Sequence, residues 1–501
     1  GKPLEDGSIQ TVAYSPTNAK KDFWQTGFQN QVDLVLTAGD EKSKYYVSGQ
    51  YFKQRSTLPD DEYTRISVRA NGSRKIYKNF SMGYNTNYIS NSYDMTSAPG
   101  SVYNEILQTP AHVDLTKYSD WRNDPFANPN GYFNEYYDNP YFTIGNWRQN
   151  TKNEYFQGNI QLVYNPFKPV TVTYRVGISS SNAQNKSTAG KFVFTDYTKS
   201  ISGSSKTDVG GSVSDSRSGS VQLVSELIAE YKKKLGKDFT FSVMGAGYMR
   251  ENSSKSVGVS ASNLVIEGLY NVTNTQNNPG ASESNSKTRQ YALRAESRLS
   301  FRDYIFLHVT ARNDWMSVLE KENRSFFYPS VDASFVATEA ISALKNIPWL
   351  SELKLRGAYA YVGNVNLGAY ALNTTFPVAA GYPYGGSAAY TVGGGLVAKG
   401  LNPEITKGPE FGFDYGLFKN RVTGGFTYYK TNTYNQTLSV QVAPSSGYTS
   451  LRTNIGEVEN QGVEVSISAT PFESKTGLTV TAGLRYSYNK NKVLSLTDES
   501  S

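Results

Sequence analysis

Few residues in this sequence are of the types that make and break covalent bonds. Cysteine is absent, and histidine occurs only at His112 and His308. Two distant imidazoles and no thiolate leave neither a multi-histidine metal site nor a cysteine nucleophile. Carboxylates are frequent, but no spacing fixes two of them as an acid–base pair. The patterns G-x-S-x-G, H-E-x-x-H and G-x-x-x-x-G-K-[ST] do not occur, so a nucleophile elbow, a zinc-protease helix and a phosphate cradle are not expected. Asp124-Pro-Phe-Ala-Asn-Pro-Asn-Gly131 has the composition of a calcium loop. With Gly131 at the loop's sixth position, however, Phe126 would stand at the first, where an acid is required. Asn, Pro and Gly there read as turn chemistry. The expectation is a protein that is not an enzyme and uses no cofactor or metal.

The residues best suited to hold a ligand are aromatic. Trp121, Tyr132, Phe133, Tyr136, Tyr137 and Trp147 fall in one stretch rich in Asn and Asp, read as a long loop. Flat rings beside amides grip sugar rings or peptide backbones, because each ring offers large apolar area at low entropy cost. The same rings could instead pack the stretch into a compact loop, or form a docking surface for a partner. The glycine-rich stretch Gly381 to Gly395 reads as a mobile loop or a partner contact.

Composition narrows the class. The net charge is +7 over 501 residues, with Lys and Arg scattered, which favours a mixed solvated surface over a nucleic-acid groove. The one basic cluster, Lys232-Lys233-Lys234, ends a strand-like run at a glycine-containing turn and suits a lipid-headgroup anchor or a plain turn. Hydrophobic residues make up 38%, low for a solid core of this size. Aromatics at 13% are too many for disorder. A hollow structure with much ordered surface fits both figures. No run reads as a transmembrane helix. The longest uncharged stretch, Gly381 to Ala398, is broken by Pro383 and by Gly393-Gly394-Gly395. No secretory signal precedes Gly1, so a trimmed mature chain or a fragment is expected.

The elements that would position these residues are strands. Tyr291, Leu293, Ala295, Leu299 and Phe301 fall on one face of an alternating run, and Arg294, Glu296 and Arg298 on the other. Ile305, Leu307, Val309 and Ala311 likewise oppose His308, Thr310 and Arg312, and Leu353, Leu355 and Tyr359 oppose Lys354 and Arg356. A period of two is what a pleated strand imposes. There are about sixteen or seventeen such runs, about ten residues each. Short links, such as Gly236–Asp238 and Arg302–Asp303, alternate with long ones, roughly Asn91–Asn153, Ser181–Ser216, Asn252–Ser286 and Asn364–Thr406. Tight turns at one end and long loops at the other are the pattern of an outer-membrane barrel. The predicted fold is therefore an all-β, transmembrane antiparallel β-barrel with short periplasmic turns and long extracellular loops. Arg294, Glu296, Arg298, His308, Arg312 and Arg356 are predicted to face its lumen. Aromatics near strand ends, including Tyr45–Tyr46, Tyr155–Phe156, Phe326–Phe327–Tyr328 and Tyr428–Tyr429, read as interface girdles. Ala337 to Leu344 is the one short helix expected.

The order of residues in the last third carries a specific resemblance. Gly400-Leu-Asn-Pro-Glu-Ile-Thr-Lys-Gly-Pro-Glu-Phe-Gly-Phe-Asp414 and Asn454-Ile-Gly-Glu-Val-Glu-Asn-Gln-Gly-Val-Glu464, followed by Ala469-Thr-Pro471, resemble conserved segments of SusC/RagA-like TonB-dependent transporters. Tyr328-Pro-Ser-Val331 and Leu353-Lys-Leu-Arg-Gly-Ala-Tyr359 look like further family segments, and Lys44 to Phe52 matches more loosely. The resemblance implies a plugged barrel of about 22 strands, residues 1–501 being a wall segment without plug, earliest strands or last strands. Val493-Leu-Ser-Leu-Thr497 stands where the family continues into further strands. It also implies nutrient import across a Gram-negative outer membrane, with oligosaccharide or oligopeptide cargo. Its partners would be a SusD-like surface lipoprotein, outer-membrane lipid, and the TonB complex through a missing N-terminal region. The alternatives are a passive porin or barrel-based surface adhesin, and a soluble glycan-binding β-protein whose apolar face packs against a second sheet.

Overall fold

The computed structural model describes residues 3–12, 14–474 and 477–496. Its strands in chain order are β1 (Phe28–Gly39), β2 (Ser43–Arg55), β3 (Glu62–Tyr77), β4 (Phe80–Thr96), β5 (Trp147–Phe167), β6 (Val170–Ala189) and β7 (Ser212–Leu235). There follow β8 (Phe239–Ser262), β9 (Gly280–Phe301), β10 (Ile305–Met316), β11 (Ser325–Val336), β12 (Leu350–Asn364), β13 (Gly395–Val397) and β14 (Glu404–Leu417). The last are β15 (Val422–Tyr434), β16 (Thr437–Gln441), β17 (Ser450–Asn454), β18 (Glu457–Glu473) and β19 (Thr479–Ser495). Sixteen of them make one sheet in chain order, while β13, β17 and β16 form a separate three-stranded sheet in the long loops. Every neighbouring pair in the large sheet is antiparallel, the arrangement that hairpin connections impose.

Register sorts the residues as the alternation predicts. His308 stands opposite Arg298 and Asp332, and Arg312 opposite Arg294 and Tyr328. One residue on, Val309 stands opposite Ser297 and Val331, and Leu307 opposite Leu299 and Ala333. The second face is bare: Leu293 is 59% exposed, Leu355 46% and Phe411 57%. Among the described residues no second sheet covers it, so the sandwich alternative lacks its partner layer. In water such a face would forgo about 1.5–3 kcal/mol per large side chain. Against hydrocarbon tails it loses nothing.

The two rims differ as expected. The connections at one rim are 40–42, 78–79, 168–169, 236–238, 302–304 and 418–421; the other carries 97–146, 190–211, 263–279, 365–403 and 435–456 beside two shorter links, 56–61 and 317–324. Arg302 and Asp303 both adopt left-handed backbone, at φ +47° and +58°, as a tight turn with the twist of its flanking strands requires. One short-rim connection is longer and holds two helical turns, Ala337–Ala340 and Ser342–Lys345, where a single short helix is expected, and that helix is not the only one: Pro99–Leu107, Pro140–Asn146 and Asp196–Ser200 are helical too.

Two expectations need correction. The long loops are shorter than their predicted bounds, because the strands run on to Thr96, Ala189 and Ser262. β7 and β8 reach 24 residues each, about twice the ~9–11 that crossing a bilayer requires. Beyond the bilayer both faces of a strand are wet, so alternation fades although the hydrogen-bond ladder continues. Trp147 consequently opens β5 instead of lying in a loop. Consecutive aromatics also cannot share a girdle. Tyr328 and Tyr429 stand in register with the inner residues Arg312 and Glu410, so Phe327 and Tyr428 take the outer face. At the short-turn rim the rings of Phe239, Phe301, Tyr304 and Phe335 run in sequence at centroid distances of 4.8, 5.4 and 6.4 Å.

The sheet has two edges. β1 pairs only with β2, and β19 only with β18. Gly1 and Thr497 lie outside the described residues.

Face assignment makes a direct prediction. In the full-length protein, Val309→Arg places a cation in hydrocarbon and should destabilise the bilayer-embedded barrel by about 2–4 kcal/mol, whereas Thr310→Arg on the inner face should cost under about 1 kcal/mol. Urea titration in lipid vesicles measures both.

Candidate functional site: the inner wall and the long-loop rim

The inner wall carries two kinds of surface. The predicted lumen residues form ion pairs both along and across the strands. Arg294 Nη2 lies 3.0 Å from Glu226 Oε1, and Arg175 Nη1 reaches the other oxygen of that carboxylate at 3.6 Å. Arg298 pairs with Glu296. His308 bridges neighbouring strands, with Nδ1 at 2.7 Å from Asp332 Oδ2 and Nε2 at 3.2 Å from Glu296 Oε1. The second approach is not aligned for a hydrogen bond. Arg312 donates to both oxygens of Asp314 at 3.0 and 2.8 Å, and Tyr328 and Gln290 donate to the same carboxylate. Arg356 pairs with Glu410 at 2.8 Å and lies 3.6 Å from Asp414. The structure thus joins Arg298, Glu296 and His308 in one cluster, while Arg294, Arg312 and Arg356 each engage a separate carboxylate set. Apart from the pair at buried Asp314, partly exposed pairs of this kind contribute little stability individually. They leave a wall that carries charges of both signs side by side.

On β5 to β9, toward the long-loop rim, the inner wall changes character. Gln157, Ser181, Ser220, Gln222, Asn252 and Ser286 are among the residues lining an open cavity of about 530 Å³. Sequence reading missed this surface. Its signal is the alternating serine at 214, 216, 218 and 220, with Asp215 and Arg217 between, a pattern with no apolar face to mark it as a strand.

The aromatic stretch folds into a unit with its own core. Val102, Ile106, Leu115, Tyr118, Tyr132 and Ile144 are buried together with Phe23 from the segment before β1. Tyr132 packs edge-on against Tyr118 at 5.4 Å and tilted against Phe133 at 4.5 Å. Trp121 and Trp147 flank Phe142 at 5.0 and 5.5 Å. Tyr136 and Tyr137 sit together at 4.9 Å, and Tyr136 is 63% exposed. Of the six predicted ligand aromatics, Tyr132 is therefore enclosed, four are half-buried and Tyr136 is open. Asn139, fully buried, donates from Nδ2 to Tyr118 O and Ala127 O, both at 2.8 Å, and its Oδ1 accepts from Tyr141 N. Asp124 Oδ1 accepts from Phe126 N at 2.9 Å, the turn chemistry expected there. At Gly131 a Cβ would come within 2.0 Å of Pro125 O, so glycine is required.

An ion pair with a buried lysine ties this unit to the next long loop. Lys206 Nζ lies 2.6 Å from Asp138 Oδ1 and donates to Tyr137 O at 2.8 Å. Glu105 lies in the same interior, where its Oε1 accepts from Thr143 Oγ1 at 2.8 Å and its Oε2 has no protein partner. Burial pushes its carboxyl up to about 8. The Thr143 bond opposes that shift, the charge of Asp138 adds to it and Lys206 opposes it. Glu105 is thus mainly protonated at neutral pH.

The "TonB dependent receptor-like, beta-barrel" family profile matches residues 107–500. TonB-dependent receptor P3 of Formosa agariphila is 24% identical over 96% of this chain and 47% of its own length. TonB-dependent receptor SusC of Bacteroides thetaiotaomicron is 31% identical over 39% of this chain and 20% of its own. The RagAB peptide importer in its 'closed-closed' state superposes with a TM-score of 0.81 at 19% identity, covering all of this chain and 54% of the other. The chain spans about half the length of the curated relatives it matches most fully.

The Glu105 environment sets a pH dependence. Its folded value of about 8 lies above the ordinary 4.5, so its contribution is complete below about pH 4.5 and is lost as pH rises through about 8. Proteolysis within 97–146 should accelerate between pH 5 and pH 9. Glu105→Gln should flatten that profile, and an unchanged profile in the variant would contradict the assignment.

Proposed function

The chain belongs to the TonB-dependent receptor-like β-barrel family, and from that premise we propose that it forms much of the wall of an outer-membrane nutrient importer of the SusC/RagA type. The observation that carries this reading is the bare apolar outer face of the sheet, on strands long enough to cross a bilayer. Further strands of the full-length protein close the gap between β1 and β19, and a plug occupies the lumen. The long-loop rim is extracellular and the short-turn rim periplasmic. A SusD-like lipoprotein closes over the long loops, and the TonB complex drives uptake through a segment outside this chain. The cargo is an oligosaccharide or an oligopeptide, moved without covalent chemistry.

Energy coupling separates this reading from a passive porin. Cells with the intact gene should accumulate labelled oligomer against its gradient, and a protonophore should abolish accumulation. Uptake that stops at equilibration and ignores the protonophore would identify a porin. The full-length protein should also show heat-modifiable mobility in detergent gels, whereas monodisperse behaviour without detergent would rule out the membrane reading.

A further inference from the structure

The neutral part of the inner wall has a sharply defined composition. On β7 the inward positions 214, 216, 218 and 220 are all serine, and the outward positions between them include Asp215 and Arg217. Ser220 stands opposite Ser181 on β6 and Ser254 on β8, and Ser254 stands opposite Ser286 on β9. Toward the long-loop rim, from the level of Gln157, Gln222 and Asn252, every inward residue of β5 to β9 is uncharged. The same strand ends are rich in charge, yet Lys152, Lys186, Lys255 and Lys287 all take outward positions. A slip of one residue would turn those charges into the lumen. Register therefore keeps this sector neutral in segments that carry many ions.

Some hydroxyls of this sector are engaged, as Thr151 Oγ1 is with Asn185 Oδ1 and Thr288 Oγ1 with Asn252 Nδ2, but four serines are not. Among the described residues, the side chains of Ser181, Ser220, Ser254 and Ser286 have no hydrogen-bond partner, although each hydroxyl can donate and accept. Tyr155 stands opposite Ser181 and borders the same cavity, 39% exposed. Four free hydroxyls, with the mutually bonded amides of Gln222 and Asn252 and one accessible ring beside them, match a ligand that is itself dense in hydroxyls and has a flat apolar face. A polyanion entering there would lose hydration and meet no cation in return.

We infer that the inner wall of β5 to β9 toward the long-loop rim binds an uncharged oligosaccharide as it enters the lumen. This rests on the importer reading and specifies its cargo: a neutral glycan, in preference to uronate-type glycans.

The test uses the full-length gene in its native host, with pools of neutral oligosaccharides, uronate oligosaccharides and peptides each supplied as the limiting nutrient. The variant carries Ser181→Ala, Ser220→Ala, Ser254→Ala and Ser286→Ala together, with heat-modifiable mobility confirming that the barrel forms. Growth on the neutral pool should require the gene, and the variant should need at least about tenfold more of that pool for half-maximal growth. The proposal falls if growth on uronates or peptides depends on the gene instead, or if the variant matches the parent on the neutral pool. It falls together with the importer reading if deleting the gene changes growth on no pool and abolishes no oligomer uptake.

Discussion

In hydrocarbon a backbone N–H or C=O finds no partner except another stretch of backbone, and each one left unpaired costs several kcal/mol. That constraint shapes this protein more than any side-chain contact. It explains why sixteen strands follow one another in chain order, each laddered to its sequence neighbours. It also explains why the core is not a solid centre. With the ladder satisfied within the sheet, the apolar side chains are free to point outward, and they are exposed along the wall. The 38% hydrophobic content suffices because hydrocarbon supplies the other half of the packing.

The same ladder leaves the inner face free to vary. Near the short-turn rim it holds paired charges, such as the Arg175–Glu226–Arg294 set spanning β6 to β9. Toward the long-loop rim on β5 to β9 it turns to hydroxyls and amides. Above the wall, the long loops are not loose connections. The 97–146 unit has a buried core, and Lys206 anchors the 190–211 loop to it through Asp138.

How much of this was legible depends on where each residue sits relative to the bilayer. Within it, alternation is enforced by the solvent on the outer face, and the faces of Leu293 and Arg294, or of Val309 and Thr310, follow directly from the sequence. Turns were legible for the same reason: the change from alternation to Gly236 or to Arg302–Asp303 is abrupt. Beyond the bilayer the signal fails. The ends of β7 and β8 are polar on both faces, so serines that continue the ladder resemble loop residues. The loop core failed differently. Tyr132 and Tyr136 are chemically alike and four positions apart, yet one is enclosed and the other open. Only the tertiary packing of Tyr118 and Phe133 against Tyr132 decides which ring remains for a ligand. The family resemblance was legible because residue order in the last third, such as the run from Gly400 to Asp414, carries more information than composition.

The account depends on hydrocarbon meeting the outer face. Nitroxide labels placed singly at residues 305 to 311 of the full-length protein in lipid bilayers would report this through collision with oxygen, which concentrates in lipid, and with a water-soluble nickel chelate. Labels at 305, 307, 309 and 311 should favour oxygen, and those at 306, 308 and 310 the chelate, with a period of two. Chelate access at every position, or neither reagent reaching the odd ones, would contradict the account.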